Sequence, residues 1–375
     1  MGQDHLFTGG GLGTFAEMSK SYQTIPNYTR TPHNVLIKLF AETGLIGLGL
    51  FVWMLVIVVI ASLKRNKNDI KAYLLFAALV GMLLHGLMDI DFNTPAIWAN
   101  FWLLTAFILA PNMPGIETKG KQSDPLWRIL MATALILLIF FFQLLFTMGK
   151  NYTALADEAK RKNSHEKALE LSKQSLSYWS YNALAQYHLS MNLLAMYNLS
   201  NDKADFEHAR KAINRAIKEN PYHPEIRLGL ADVLAVNGEQ KKSLEQVAMA
   251  AHLSPTSIHY QMEYARALAL TGNKAKALKI INDALKLEEA YLAHHNPNGM
   301  DVVRIRFFRA AILNDQGFFD QAIKEYETIL TLIKQPGLIL NPYTSTHKLE
   351  ATRKEIATQA SDYIMRNKNE IKNKN

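Results

Sequence analysis

Apolar positions are distributed unevenly along this 375-residue chain. Up to about Lys150 they form long runs with little periodicity. Beyond it they recur every three or four positions, the spacing of helices that bury one face. Four runs stand out in the first part, near 36–63, 72–88, 95–110 and 126–148. From Gly44 to Leu63 there is no charged residue, and about 20 residues at roughly 1.5 Å rise are enough to cross a bilayer. The pattern predicts an all-α protein: about four transmembrane helices, then a soluble α-solenoid of helical hairpins.

Charge between the runs sets an orientation. Lys64, Arg65, Lys67 and Lys71 follow the first run, Lys119 and Lys121 precede the fourth, and Arg128 lies just inside it. Short basic loops stay in the cytoplasm. This places residues 1–34, the turn at 89–94 and everything after Lys150 outside. The expected domains are a Gly-rich extracytoplasmic loop (1–34), a membrane domain (35–149), a repeat domain (150–335), and a C-terminal helix with a frayed Lys/Asn-rich tail (336–375).

The second part repeats itself. At a shift of 34 residues Ala231, Leu234, Gly238, Ser243, Val247 and Ala250 map onto Ala265, Leu268, Gly272, Ala277, Ile281 and Ala284. Pro221 and Pro255 close successive units, and Ala310, Leu313, Gly317 and Ala322 form a further copy after an insertion around Tyr291–Met300. Small residues at a helix crossing, a glycine at the turn and large apolar residues between are how tetratricopeptide-like hairpins pack. Four or five units are expected, sealed by a polar helix near 349–366. These helices show no concentrated acidic or aromatic cleft for a sugar, so a protein partner is the expected ligand of the array.

Composition narrows the chemistry. There is no cysteine, which excludes disulfides and a thiolate nucleophile. The net charge of +8 comes from basic residues that are scattered or flank apolar runs, so no nucleic-acid partner is expected. No basic segment followed by an apolar core opens the chain. Export of its first loop is therefore expected to depend on segments outside this sequence.

Gly9, Gly11 and Gly13 lie in a stretch dense enough to need positive-φ backbone. No Gly-Lys-Ser/Thr follows, so it is not a P-loop. Pro32 breaks the chain before His33-Asn34, where the first apolar run begins. An imidazole at the water–lipid boundary can take a proton from a sugar hydroxyl. Arg30 offers a fork of donors suited to a diphosphate. Glu42, nine residues on, is an ionisable group inside the apolar run. His85 and Asp89 share a helical face, with Asp91 just beyond. The plainer alternatives are that His33 only starts a helix, that Glu42 faces water, and that His85 and Asp89 orient one another. No metal and no cofactor is expected.

His33-Asn34, nine residues, Gly44, two residues, Gly47 resembles the signature of the O-antigen ligase and polymerase superfamily, which includes bacterial O-oligosaccharyltransferases. Gly9-x-Gly11-x-Gly13-x-Phe15 upstream and His85…Asp89 before an aromatic run are similar to its C-terminal part. The resemblance covers about residues 5–110, with the repeat domain appended. It implies transfer of a glycan from undecaprenyl diphosphate to a lipid, glycan or protein acceptor, without metal, in the bacterial inner membrane, with the loop and repeat domain periplasmic. His33 would be the catalytic base, and Arg30 would contact the diphosphate, with Glu42, His85 and Asp89 as substrate-binding candidates. Family members carry further spans upstream, so the chain is expected to be the C-terminal part of a longer or split protein. The alternative is a non-catalytic membrane-anchored tetratricopeptide scaffold for a cell-envelope assembly.

Overall fold

The structure is a computed structural model and describes residues 5–26, 31–64, 70–109, 126–162, 164–293, 299–335 and 346–374. The chain forms two compact units, Met1–Tyr22 with Tyr28–Leu145 and Gln23–Asn27 with Phe146–Asn375. Regular structure among the described residues is all helical.

In the first unit a one-turn helix, α1 (Phe15–Met18), follows the glycine-rich loop. Three apolar helices come next: α2 (Val35–Leu63), α3 (Ile70–Gly86) and α4 (Pro95–Leu109). Their shared core is Val35, Phe51, Val58, Leu79, Phe92, Phe101 and Ile108. The α3–α4 turn is shaped by aromatics. The Trp98 indole N–H donates to the Phe92 carbonyl at 2.7 Å, and the two rings meet edge-on with centroids 4.8 Å apart.

The expectation of about four membrane helices is met only in part. Among the described residues α2 is long and apolar enough to cross a membrane, whereas Tyr73–Gly86 and Ala96–Leu109 are shorter apolar helices. The run at 126–148 does not end where its apolar residues end. With no proline to stop it, it continues as α5 (Leu126–Arg161), and the division between the units falls inside this helix, after Leu145.

Among the described residues the second unit is a tetratricopeptide-like array of five hairpins. The later part of α5 meets α6 (His165–Tyr178), the Ser175 hydroxyl donating to the Gly149 carbonyl and Tyr152 stacking on Tyr178, and α7 (Ala183–Ser200) pairs with α8 (Lys203–Glu219). Next come α9 (Pro224–Val236) with α10 (Gln240–Leu253), and α11 (Ile258–Leu270) with α12 (Lys274–Leu285). A short inserted helix, α13 (Glu288–Leu292), precedes the last pair, α14 (Met300–Asp315) with α15 (Phe319–Leu332). The aligned small residues are buried where helices cross, with Ala231, Ala265, Ala277, Ala310 and Ala322 all at or below 2% exposure. Where Ser243 replaces alanine, its hydroxyl donates to the Ala231 carbonyl at 2.8 Å, so the polar atom is satisfied.

Three hairpins turn in the same way. Gly238, Gly272 and Gly317 have φ of 80°, 85° and 82°, and in each case the next residue's N–H returns to a carbonyl five residues back, at 2.9 Å. This is the closure a left-handed C′ glycine provides. At the start of the insertion the buried Tyr291 hydroxyl donates to the Thr256 carbonyl and accepts the Ile258 N–H, clamping the preceding turn. The array ends on α16 (Thr346–Lys374), which lays Ala360 and Tyr363 against α15, Tyr363 stacking on Tyr326 at 5.1 Å. This helix runs through Lys374, past the point where the Lys/Asn-rich composition predicts fraying.

Candidate functional site

The glycine-rich loop is stapled into a break in α2. Gly44 takes φ 66° and ψ −165° in the middle of the helix, which frees backbone groups on both sides. The loop fills them. The N–H groups of Gly10 and Gly11 donate to the carbonyls of Ala41 and Glu42, each at 2.9 Å. Those of Leu45 and Ile46 donate to Leu6 and Phe7, at 2.9 and 3.2 Å. The backbones lie so close that a Cβ on Gly9 would sit 2.3 Å from the Glu42 carbonyl carbon, and one on Gly44 would sit 2.3 Å from that of Phe7. Only glycine fits either place, because both also need positive φ.

The other glycines of the motif serve the same junction. Gly11 and Gly13 have positive φ, and the Thr14 hydroxyl donates to the Gly11 carbonyl at 2.6 Å to start α1. Gly47 leaves room for the Thr43 side chain. Glu42 is buried at 7% exposure, beside the break rather than facing open water.

Asn34 is the N-cap of α2. Its side-chain oxygen accepts the N–H groups of Leu36 and Ile37 at 2.9 and 3.0 Å, and its amide nitrogen donates to the Leu87 carbonyl at 3.0 Å. One turn on, the Lys38 ammonium donates to the Asn93 side chain at 2.5 Å. These two bonds bring the start of α2, and so the exposed His33, to the turn that carries His85, Asp89 and Asp91. There His85 Nδ1 lies 2.5 Å from an Asp91 carboxylate oxygen, and Asp89 accepts the Ile90 N–H at 2.6 Å. It is therefore Asp91, not the i+4 residue Asp89, that orients the imidazole. One ligand atom from each of the three lies within 4.8 Å of the others. Such a set could coordinate a divalent ion, though three ligands from the end of α3 and the turn after it leave most of a coordination sphere open. Arg30, the diphosphate candidate, lies outside the described residues, as do His294 and His295 of the insertion.

The array holds a polar site that the sequence reading missed. Tyr187 and Tyr260 donate their hydroxyls to the two carboxylate oxygens of Glu225, at 3.0 and 3.3 Å. The Lys160 ammonium lies 5.0 Å above the Tyr187 ring. Asp232 and Glu263 line the same groove, a cavity of about 570 Å³. The absence of an acidic or aromatic cleft predicted above is thus incorrect: residues far apart in sequence meet because the first helices of successive hairpins lie side by side. Asp232 opens to this groove, yet the protein around it, with the carboxylates of Glu263 and Glu225, pushes its carboxyl up to about 6. Nearby His188 is buried and pushed down to about 4 by loss of solvent, which outweighs the attraction of Asp157 and Glu225. Farther along, Arg306 bridges Glu288 and Glu325, and Arg309 holds the other Glu325 oxygen at 2.6 Å.

No family model matches the chain, and no curated protein matches it. Among solved structures it is similar to TTC0263, a thermophilic TPR protein of Thermus thermophilus, at 17% identity, covering 56% of this chain and 98% of that one, with a TM-score of 0.40. Pseudomonas aeruginosa pilF is 11% identical, covering 60% and 91%, with a TM-score of 0.41. YrrB, a TPR protein with an unusual peptide-binding site, is 16% identical, covering 54% and 90%, with a TM-score of 0.33.

Proposed function

We propose that this chain is a membrane-anchored scaffold for a cell-envelope assembly, its helical array docking a protein partner. The observation that carries the reading is α5, a single helix of 36 residues. Its residues Leu137, Leu138, Ile139, Phe140, Phe141 and Phe142 are all exposed, and its later part is the first helix of the array. Six consecutive residues at roughly 100° each sweep more than a full turn, and a helix apolar and bare on every side suits lipid rather than water. With α2, it anchors the chain in a bacterial inner membrane. The basic loops hold one side in the cytoplasm, which leaves the glycine-rich loop and the array periplasmic. Photocrosslinkers placed along the array in intact cells should yield discrete protein adducts; their uniform absence overturns the scaffold.

A second reading adds a reaction to the scaffold, and the His33–Asn34–Leu87 junction favours it. Here the chain is part of a glycan transferase of the O-antigen ligase or polymerase type. The acceptor hydroxyl attacks the anomeric carbon of a sugar on undecaprenyl diphosphate, the bond to the diphosphate breaks, and the hydroxyl proton passes to an imidazole. Two imidazoles are gathered at this end. His33 is exposed at the head of α2, and His85 is held by Asp91 as a carboxylate holds a general base. Lys38, bonded to Asn93 after the same turn, is a charge for the leaving diphosphate. Surface-glycan or glycoprotein profiles of His33→Ala and His85→Ala, in the complete system at equal expression, test this. Unchanged profiles for both remove the reaction and leave the scaffold.

A further inference from the structure

The array has a second groove, between α6 and α8 with α7 beneath, and its chemistry bears on the docking role proposed above. The cavity measures about 790 Å³, and its floor is made by Leu169, Leu189, Leu193 and Met196. Gln186 also lines it. This residue is only 4% exposed. A primary amide carries both a donor and an acceptor, so it can pair with both polar ends of a peptide group. The walls are cationic on both sides, with Lys173 from α6 and Lys211 and Arg215 from α8, all exposed. His208 adds a titratable group, and Asp205 is the carboxylate among the lining residues.

Resting on the docking role, we infer that this groove seats an acidic segment of the protein partner. An apolar side chain of that segment lies on the floor, where the unbranched Met196 adapts to its shape. Its main chain bonds Gln186, and its carboxylates face Lys173, Lys211 and Arg215. Charge complementarity selects an anionic occupant. The amide at the floor favours a peptide group, which offers one N–H and one C=O side by side, over a phosphodiester, which itself offers acceptors alone.

The test uses the full chain in nanodiscs of zwitterionic lipid, with empty nanodiscs as the blank. The probes are a fluorescein-labelled peptide of alternating Glu and Leu and its Lys–Leu counterpart, followed by anisotropy. The acidic peptide should bind saturably and the basic one should not. The double variant Lys211→Glu/Arg215→Glu should weaken binding about tenfold or more, while Lys241→Glu on α10 leaves it unchanged. Gln186→Leu should weaken binding several-fold at an unchanged unfolding midpoint, since a buried apolar replacement keeps the packing. Equal binding of the two peptides, or full affinity in the double variant, overturns the inference. So does displacement of the peptide by phosphatidylglycerol vesicles, which would assign the groove to lipid. A peptide that binds but crosslinks elsewhere on the array removes this groove and keeps the docking role. No peptide binding together with no adduct anywhere on the array removes both.

Discussion

The side-chain amide of Asn34 donates to the carbonyl of Leu87 across 3.0 Å, tying the head of α2 to the end of α3. The same side chain caps α2 through its oxygen. Two substitutions separate these roles. Asn34→Asp keeps the cap and loses the donor, while Asn34→Ala loses both. The alanine variant should lose about 1–2 kcal/mol from the cap and a further 0.5–1.5 kcal/mol, roughly, from the tie. The aspartate variant should show mainly the second loss. Thermal unfolding of the detergent-solubilised chain measures both, and equal losses would reduce the residue to a single role.

Gly44→Ala should be among the most damaging single changes in the first unit. The added methyl would meet the Phe7 backbone at a φ that alanine resists. Residues 5–26 should then become cleavable by protease while the array stays intact. Gly49→Ala is the matched control: it sits in the same helix with nothing within 4 Å of the new Cβ. It should be neutral or stabilising by about 0.5–1 kcal/mol.

Acid should weaken the array through His188. Burial holds this imidazole at about 4, below its ordinary value of 6.5. Between those pH values the unfolded chain takes a proton that the native chain refuses. The stability is therefore fully present above about 6.5 and falls as the pH drops toward 4, by about 3 kcal/mol at most. Asp232 works in the opposite sense, because its raised value lets the native chain bind a proton first over the window from about 6 down to 3.8. Unfolding midpoints of His188→Gln across pH 4–7 should decline less than those of the parent. A parallel decline would sink the assignment.

Removing Glu325 should cost about 3–5 kcal/mol, because Glu325→Ala leaves Arg309 and part of the Arg306 network uncompensated in a largely buried setting. Glu158→Ala breaks an exposed pair with Lys162 and should give no measurable change. Denaturant titration of the two variants side by side decides whether burial is the controlling factor.

The array was legible in the sequence because each of its turns rests on local chemistry. Gly238, Gly272 and Gly317 announce their left-handed turns, and Ala231 and Ala265 announce the crossings they fill. The first unit was legible in its residues but not in its geometry. The glycine pattern implies positive φ, yet nothing local says that Gly9 must clear the backbone of Glu42, more than 30 residues later. Likewise i, i+4 spacing pairs His85 with Asp89, whereas the aromatic-set turn carries Asp91 to the imidazole instead. The groove around Glu225 escaped notice because Tyr187 and Tyr260 flank it from different hairpins, a proximity set by the pitch of the solenoid. The continuation of α5 past its apolar run was hidden for a different reason. The change from apolar to amphipathic text marks a change of surroundings, not an end of helix.

The shared turn geometry at Gly238 and Gly272 has a consequence for how such a protein can change over generations. A block of 34 residues excised or copied between those glycines rejoins the chain at an identical seam, with the same return bond waiting on each side. Length is then the cheapest property of this half to alter.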